Sequence, residues 1–358
     1  MTDRLYLDHA ATTPVLPAAR AAMAEALERW ANPSSPHADG RAARAELERV
    51  RDRVKQALDW RHDVIFTSGA SEAIAIAAAR ATVASRARGP TEHDAVVAAM
   101  GPTAVQLLVG SDGVIDPVVL DCELAEGPTL VAIQHVNNET GVIQPLGAIA
   151  ARVRAAGSLL LADCAQGAGK IALPDADFIA ISGHKFGGPP GIGALLVRDI
   201  ATLAPSGGQE KGYRRGTENL PAAAAMAAAL ETRAFADEMP RLARLRERLE
   251  QAIVADGGTV IAPGAERIAT IGAFALPGVT SASQLVALDL AGIAVSAGSA
   301  CSSGSMKTSR VLTAMGVLEE VAGCTIRVSF GPDTSEADLD RFIAEWRRIA
   351  DRARTRVA

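Results

Sequence analysis

Two kinds of segment alternate along the chain. Short apolar runs such as Asp63-Val64-Ile65-Phe66-Thr67, Leu130-Val131-Ala132-Ile133-Gln134-His135-Val136, Phe178-Ile179-Ala180-Ile181 and Ile192-Gly193-Ala194-Leu195-Leu196-Val197 have the length and branched content of buried strands. Residues 158–162 add another, which ends at Asp163. Between them, residues 17–30, 40–58 and 146–156 read as helices, and the alanine-rich run after Glu72 is expected to stay helical to residue 87. Residues 95–128 show only weak strand and turn signals, and Asn32-Pro33-Ser34-Ser35-Pro36-His37 must be loop because its prolines break a helix. At the N-terminus, residues 4–8 read as a strand followed by a turn of small residues. Helix and strand alternate and polar residues cluster after the strands, which predicts an α/β fold with its site at the carboxyl ends of parallel strands.

The pattern changes after a long polar loop over residues 207–219. An alanine-rich helix starting at Pro221 is expected to run past Phe235, and a charged helix to begin at Pro240. Strands then fall near 259–261, 271–276 and 294–296, and an amphipathic helix over 338–354 closes the chain. A domain boundary is expected near residue 236. The 358 residues suffice for such a division.

A net charge of −5, without a basic arm or an aromatic-basic patch, gives no general attraction to nucleic acid. Cys122, Cys164, Cys301 and Cys324 form no CxxC pair, so no zinc site is expected. The N-terminus lacks the apolar core of a signal peptide and no run of eighteen apolar residues occurs, so a cytoplasmic location with free thiols is the expectation. Asp163-Cys164-Ala165-Gln166-Gly167-Ala168-Gly169-Lys170 resembles a phosphate loop but lacks the first glycine and the final hydroxyl residue. His62 and His135 are expected to be structural or exposed.

Candidate chemistry begins at Lys185. The chain has few lysines, at 55, 170, 185, 211 and 307, and Lys185 alone sits in a glycine- and proline-rich turn between two buried strands. A lysine fixed there can form a Schiff base with a carbonyl cofactor. Asp163 ends the preceding strand, and Gly69-Ala70-Ser71 opens a helix, whose N-terminal N–H groups suit an anion. A carboxylate, a lysine and an anion site match the pyridine nitrogen, aldehyde and phosphate of pyridoxal phosphate.

At these residues the chain resembles the cysteine desulfurases, in the class V aminotransferase branch of fold-type I pyridoxal phosphate enzymes. The resemblance runs nearly end to end. It rests on Tyr6-Leu7-Asp8-His9-Ala10-Ala11-Thr12-Thr13-Pro14, Asn32-Pro33-Ser34-Ser35, Thr67-Ser68-Gly69-Ala70-Ser71-Glu72, Thr91-Glu92-His93, His135-Val136-Asn137-Asn138-Glu139, Asp163-Cys164-Ala165-Gln166, Ser182-Gly183-His184-Lys185, Arg214-Arg215-Gly216-Thr217-Glu218-Asn219, Gly298-Ser299-Ala300-Cys301-Ser302-Ser303-Gly304 and Ile326-Arg327-Val328-Ser329. It implies a large domain over 15–236 with a mostly parallel central sheet flanked by helices. A smaller α+β domain would comprise 1–14 and 237–358 and carry the cysteine loop.

By that resemblance Lys185 would hold pyridoxal phosphate, Asp163 would pair with the pyridinium, and His93 would stack on the ring and take part in proton transfers. Asn138 and Gln166 would bond the ring's substituents. Ala70, Ser71, Ser182 and His184 would bind phosphate, and Thr217 would reach the phosphate of a neighbouring subunit, which implies a homodimer. Arg327, helped by Asn32, would hold the substrate carboxylate, as suits an arginine fork. Cys301 would be the nucleophile that takes sulfur from L-cysteine as a persulfide, leaving L-alanine, and passes it to an iron–sulfur scaffold or a tRNA-thiolation protein. Ser71 stands where threonine is common, Arg310 where histidine is expected, and the segment between His93 and Asn138 is short for the family. Selenocysteine lyase, another class V enzyme and a degenerate assembly subunit are the alternatives.

Overall fold

The computed structural model describes residues 4–298 and 309–357. Its centre is a seven-stranded sheet in the order Asp63–Thr67, Gly193–Val197, Phe178–Ser182, Leu159–Asp163, Thr129–Gln134, Ser85–Arg88, Val105–Gln106. Every neighbouring pair is parallel except the two that involve Gly193–Val197. The inner strands are apolar at consecutive positions because both faces are covered. Ile65, Leu161, Phe178 and Leu195 face a layer containing the helices Ala70–Arg80 and Asp94–Met100. Val64, Phe66, Leu160, Ile179 and Leu196 face the larger layer, which includes Pro17–Leu27, Ala38–Ala57 and Leu220–Glu231.

The remaining chain builds a three-stranded antiparallel sheet of Thr259–Val260, Ile271–Ala275 and Thr325–Ser329. The helices Ala234–Ala255, Ser281–Leu290 and Glu336–Val357 accompany it. The first strand, Leu5–Tyr6, pairs in parallel with Ile293–Ala294, so the N-terminus joins the C-terminal part. One apolar core runs through both parts, from Leu160 and Ile179 to Phe274, Phe342 and Trp346.

Three expectations need correction. The alanine-rich helix ends at Arg80, and Ser85–Arg88 is a strand that buries Ala87 fully against the sheet. The weakly patterned stretch holds two helices, Asp94–Met100 and Pro117–Ala125, whose N-caps are His93 and Asp116. The chain also breaks earlier than expected after Leu220–Glu231. Arg233 takes left-handed backbone (φ 53°), Thr232 Oγ1 accepts from Ala234 N, and the next helix starts at Ala234 with Pro240 inside it.

The loop after Gly193–Val197 is tied to the sheet edge by a buried ion pair. Arg51 Nη1 lies 2.8 Å from Glu210 Oε2, which also accepts from Phe66 N at 2.9 Å. The guanidinium lies over the Phe66 ring, 4.8 Å from its centroid. Glu210 and Lys211 both adopt left-handed backbone (φ 48° and 57°), an unfavourable conformation that the pair offsets. Glu210→Gln removes the buried counter-ion of Arg51 and leaves it only the more exposed Glu48 carboxylate, 3.2 Å from its Nε; it should cost about 3 kcal/mol of unfolding free energy. Denaturant unfolding of both proteins checks this; a loss under 1 kcal/mol would mean that water reaches the pair.

Candidate active site

A cavity of about 410 Å³ opens at the carboxyl ends of the central strands. It brings together Ala70, Ser71, His93, Asn138, Asp163, Gln166, Ser182, His184, Lys185 and Arg327, all singled out in the sequence. Two further candidates stand outside it. Asn32 is exposed, with its Oδ1 accepting from Ser34 N at 2.8 Å, and Thr217 is exposed on the loop anchored by Glu210. Cys301 lies outside the described residues.

Lys185 sits in a 3-10 turn, Gly183–Lys185, directly after Phe178–Ser182. The turn is fixed by Gly183 N donating to Ile192 O (3.0 Å) and Gly188 N to Gly183 O (2.9 Å). Gly187 has φ 90°, and a Cβ there would lie 2.5 Å from Leu16 Cγ, so the turn requires glycine. The N-terminal segment crosses this turn. Thr13 N donates to His184 O at 2.8 Å, Leu16 N to Gly187 O at 2.9 Å, and Lys185 Nζ donates to Ala10 O and Ala11 O at 2.7 and 2.8 Å.

The anion end of the cavity is the first turn of Ala70–Arg80. Gly69 is its N-cap and no side chain caps it. Gly193 packs so closely beneath that a Cβ on it would lie 2.6 Å from Gly69 Cα. Burial, with the charges of Lys185 and Lys170, lowers the His184 imidazole to about 4, so its Nδ1, 3.2 Å from Thr12 Oγ1, belongs to a neutral ring.

Asp163 closes its strand, buried at the floor of the cavity, and its Oδ1 accepts from Ala165 N at 2.9 Å. Burial raises its carboxyl above the ordinary value, against the opposing effects of Ala165 N–H, His93 and Lys185. A cation brought beside it would relieve that burial. His93 caps Asp94–Met100, and its Nδ1 accepts from Ala95 N at 3.2 Å, so a neutral ring carries its proton on Nε2. Gln166 Nε2 donates to Ala10 O at 2.8 Å, while its buried Oε1 has no donor among the described residues.

Arg327 comes from the small sheet and is 3% exposed. Its Nη1 donates to Asn138 O at 3.0 Å and its Nη2 to Asp8 Oδ1 at 2.7 Å. Arg310, where histidine was expected, reaches the backbone of Glu92 and lies 3.1 Å from Asp94, beside His93. Sequence reasoning missed Asp8, Glu92 and Lys170. Glu92 is buried next to Asp163, and burial raises it to about 8. Lys170, from the rejected phosphate-loop look-alike, is buried with its Nζ 4.9 Å from the Phe235 ring centroid, and is lowered by burial to about 7. Each is a single charged residue between uncharged neighbours, and no local pattern flags it. Cys164 is buried, and burial pushes its thiol well above the ordinary value, as befits a structural cysteine. Cys122 is exposed on Pro117–Ala125.

His62 is exposed and His135 buried, as expected for non-catalytic histidines. Burial lowers His135 to about 4 from an ordinary 6.5. The unfolded chain therefore binds a proton that the folded one refuses as pH falls from 6.5 to 4. Stability drops across that window, by up to about 3 kcal/mol from this residue. Unfolding measured at several pH values should show a shallower acid limb in His135→Gln; an unchanged slope would assign the limb to other groups.

The aminotransferase class-V family matches residues 5–342. A cysteine desulfurase of Cereibacter sphaeroides is 34% identical, over 98% of this chain and 97% of its own. An IscS-like cysteine desulfurase of Mycobacterium tuberculosis is 34% identical over the same shares. Among solved structures, a NifS-like protein from Rickettsia africae superposes with a TM-score of 0.90 at 29% identity, over 97% of this chain and 99% of that one. The buried Asp163 carboxylate, the open helix N-terminus at Ala70, the donor-less Gln166 Oε1 and Lys185 in one cavity fit pyridoxal phosphate, the cofactor of this family. The chain belongs to the class-V aminotransferase family, in its cysteine desulfurase branch.

Proposed function

We propose that the chain removes sulfur from L-cysteine, releases L-alanine and carries the sulfur as a persulfide on Cys301 to an acceptor protein of iron–sulfur cluster assembly or tRNA thiolation. The observation that carries this reading is the convergence of Lys185, Asp163, His93 and Arg327 on one cavity. Pyridoxal phosphate, when bound, supplies a carbonyl for the amino group and a ring that accepts electrons from the substrate Cα.

The protein's part is placement and proton transfer. Asp163 keeps the pyridine nitrogen protonated, and the first turn of Ala70–Arg80, with Ser182 and His184, receives the phosphate. Arg327 holds the α-carboxylate through its remaining N–H groups, and Lys185 and His93 move protons at Cα and at the leaving fragment. The substrate Cβ–Sγ bond breaks as an S–S bond to the Cys301 thiolate forms. The carbon fragment keeps the electron pair and leaves, protonated, as alanine.

Thr217, exposed on its anchored loop, would serve the phosphate of a second subunit, so the working unit is a homodimer. Asn32, also exposed, would then help a neighbour's substrate site. The cofactor-binding domain would span 15–236, with 1–14 and 237–358 as the small domain. No helix among the described residues is long and apolar enough to cross a membrane, which is compatible with work in the cytoplasm.

Cys301→Ala should keep the cofactor's absorption and its spectral response to L-cysteine, yet release no alanine above background and carry no persulfide. Normal alanine release by this variant would end the mechanism. Asp163→Asn should lower turnover by about 100-fold or more, the scale of losing one aligned electrostatic group, with little change in folding. Near-normal turnover would remove Asp163 from the ring nitrogen.

A further inference from the structure

Arg327, the residue read above as the carboxylate holder, already has a carboxylate on it. Asp8 Oδ1 is 2.7 Å from Arg327 Nη2, and Asp8 Oδ2 accepts from Ser296 Oγ at 2.8 Å. Both oxygens are therefore engaged. The backbone is held as well, because Leu5–Tyr6 lies along Ile293–Ala294 and Asp8 bridges to Ser329. Among the described residues Arg327 has no other side-chain anion at salt-bridge distance, and its buried Nε has no acceptor. The guanidinium thus keeps donors for a ligand while its charge is already matched.

We propose that Asp8 is a positioning residue that stays on Arg327 throughout the cycle, aims the fork at the cavity and holds down its affinity for the α-carboxylate so that alanine can leave. The physical basis is charge counting. A second carboxylate arriving at a neutral Asp8–Arg327 pair meets a dipole and one like charge, whereas at a bare buried guanidinium it would meet a full uncompensated cation. The enzyme must release a product that carries the same carboxylate as its substrate, so a tight carboxylate clamp would slow turnover.

This inference rests on the carboxylate role of Arg327, and its test separates the two. The holoenzyme is titrated with L-alanine, following cofactor absorbance and heat, and steady-state kinetics are run on the same preparations. Asp8→Asn should bind alanine about tenfold tighter and show a lower KM for cysteine together with a lower kcat. Asp8→Glu, which keeps the charge, should stay close to the original protein in alanine affinity. If Asn does not fold, Asp8→Ser removes the same charge from the same place and is read in the same way. Arg327→Gln should lose alanine binding. Unchanged or weaker alanine binding in the neutral Asp8 variants, with binding lost in Arg327→Gln, overturns the role of Asp8 alone. Unchanged binding in Arg327→Gln overturns the carboxylate assignment and the inference with it.

Discussion

The site depends on how residues 8–16 lie across the ends of the central strands. Ala10 O and Ala11 O accept from Lys185 Nζ, and Ala10 O also accepts from Gln166. The backbone of Thr13 and Leu16 fastens to the lysine turn, and Asp8 fastens to Arg327. One extended segment therefore touches the central sheet's lysine and the small sheet's arginine. It can do so because Leu5–Tyr6 is itself a strand, whose direction is fixed by Ile293–Ala294.

The second constraint is the cost of buried charge. Asp163, Glu92, Lys170 and Arg327 all lie in the interior around the cavity. Arg327 is matched by Asp8, whereas Asp163 and Glu92 are raised by burial and Lys170 is lowered by it. Such groups rarely persist without a use, because an apolar replacement would usually be no worse for stability. Pyridoxal phosphate would bring a cationic ring beside Asp163 and so relieve the burial of its carboxylate.

Much of this was legible in the sequence. The strands that carry Asp163 and Lys185 are apolar runs ending in polar residues, and that pattern survives because both sheet faces are covered. Asp116-Pro117 was a readable helix start that weak local patterning concealed. The strand Ser85–Arg88 could not be read from Ser-Arg-Ala-Arg, because its membership is set by the neighbour Thr129–Gln134 rather than by local preference. Asp8 was invisible as a site residue for a related reason: its significance is its contact with Arg327, and no local pattern encodes a contact between opposite ends of a chain. Asn32 and Thr217 were legible only by resemblance, and within one subunit they stand apart from the cavity.

That last contact bears on how the protein comes into being. Asp8 and Arg327 are separated by 319 positions. During synthesis the central sheet is complete once Gly193–Val197 has emerged, yet the arginine that would receive the substrate is made only with the later strand Thr325–Ser329. A nascent chain can form the lysine turn before it can hold a substrate carboxylate, whereas the segment that covers the turn gains its partner strand only with Ile293–Ala294. Contacts this remote in sequence also slow the final docking relative to the local helices. Competence for the reaction is thereby delayed until Arg327 has left the ribosome and met Asp8.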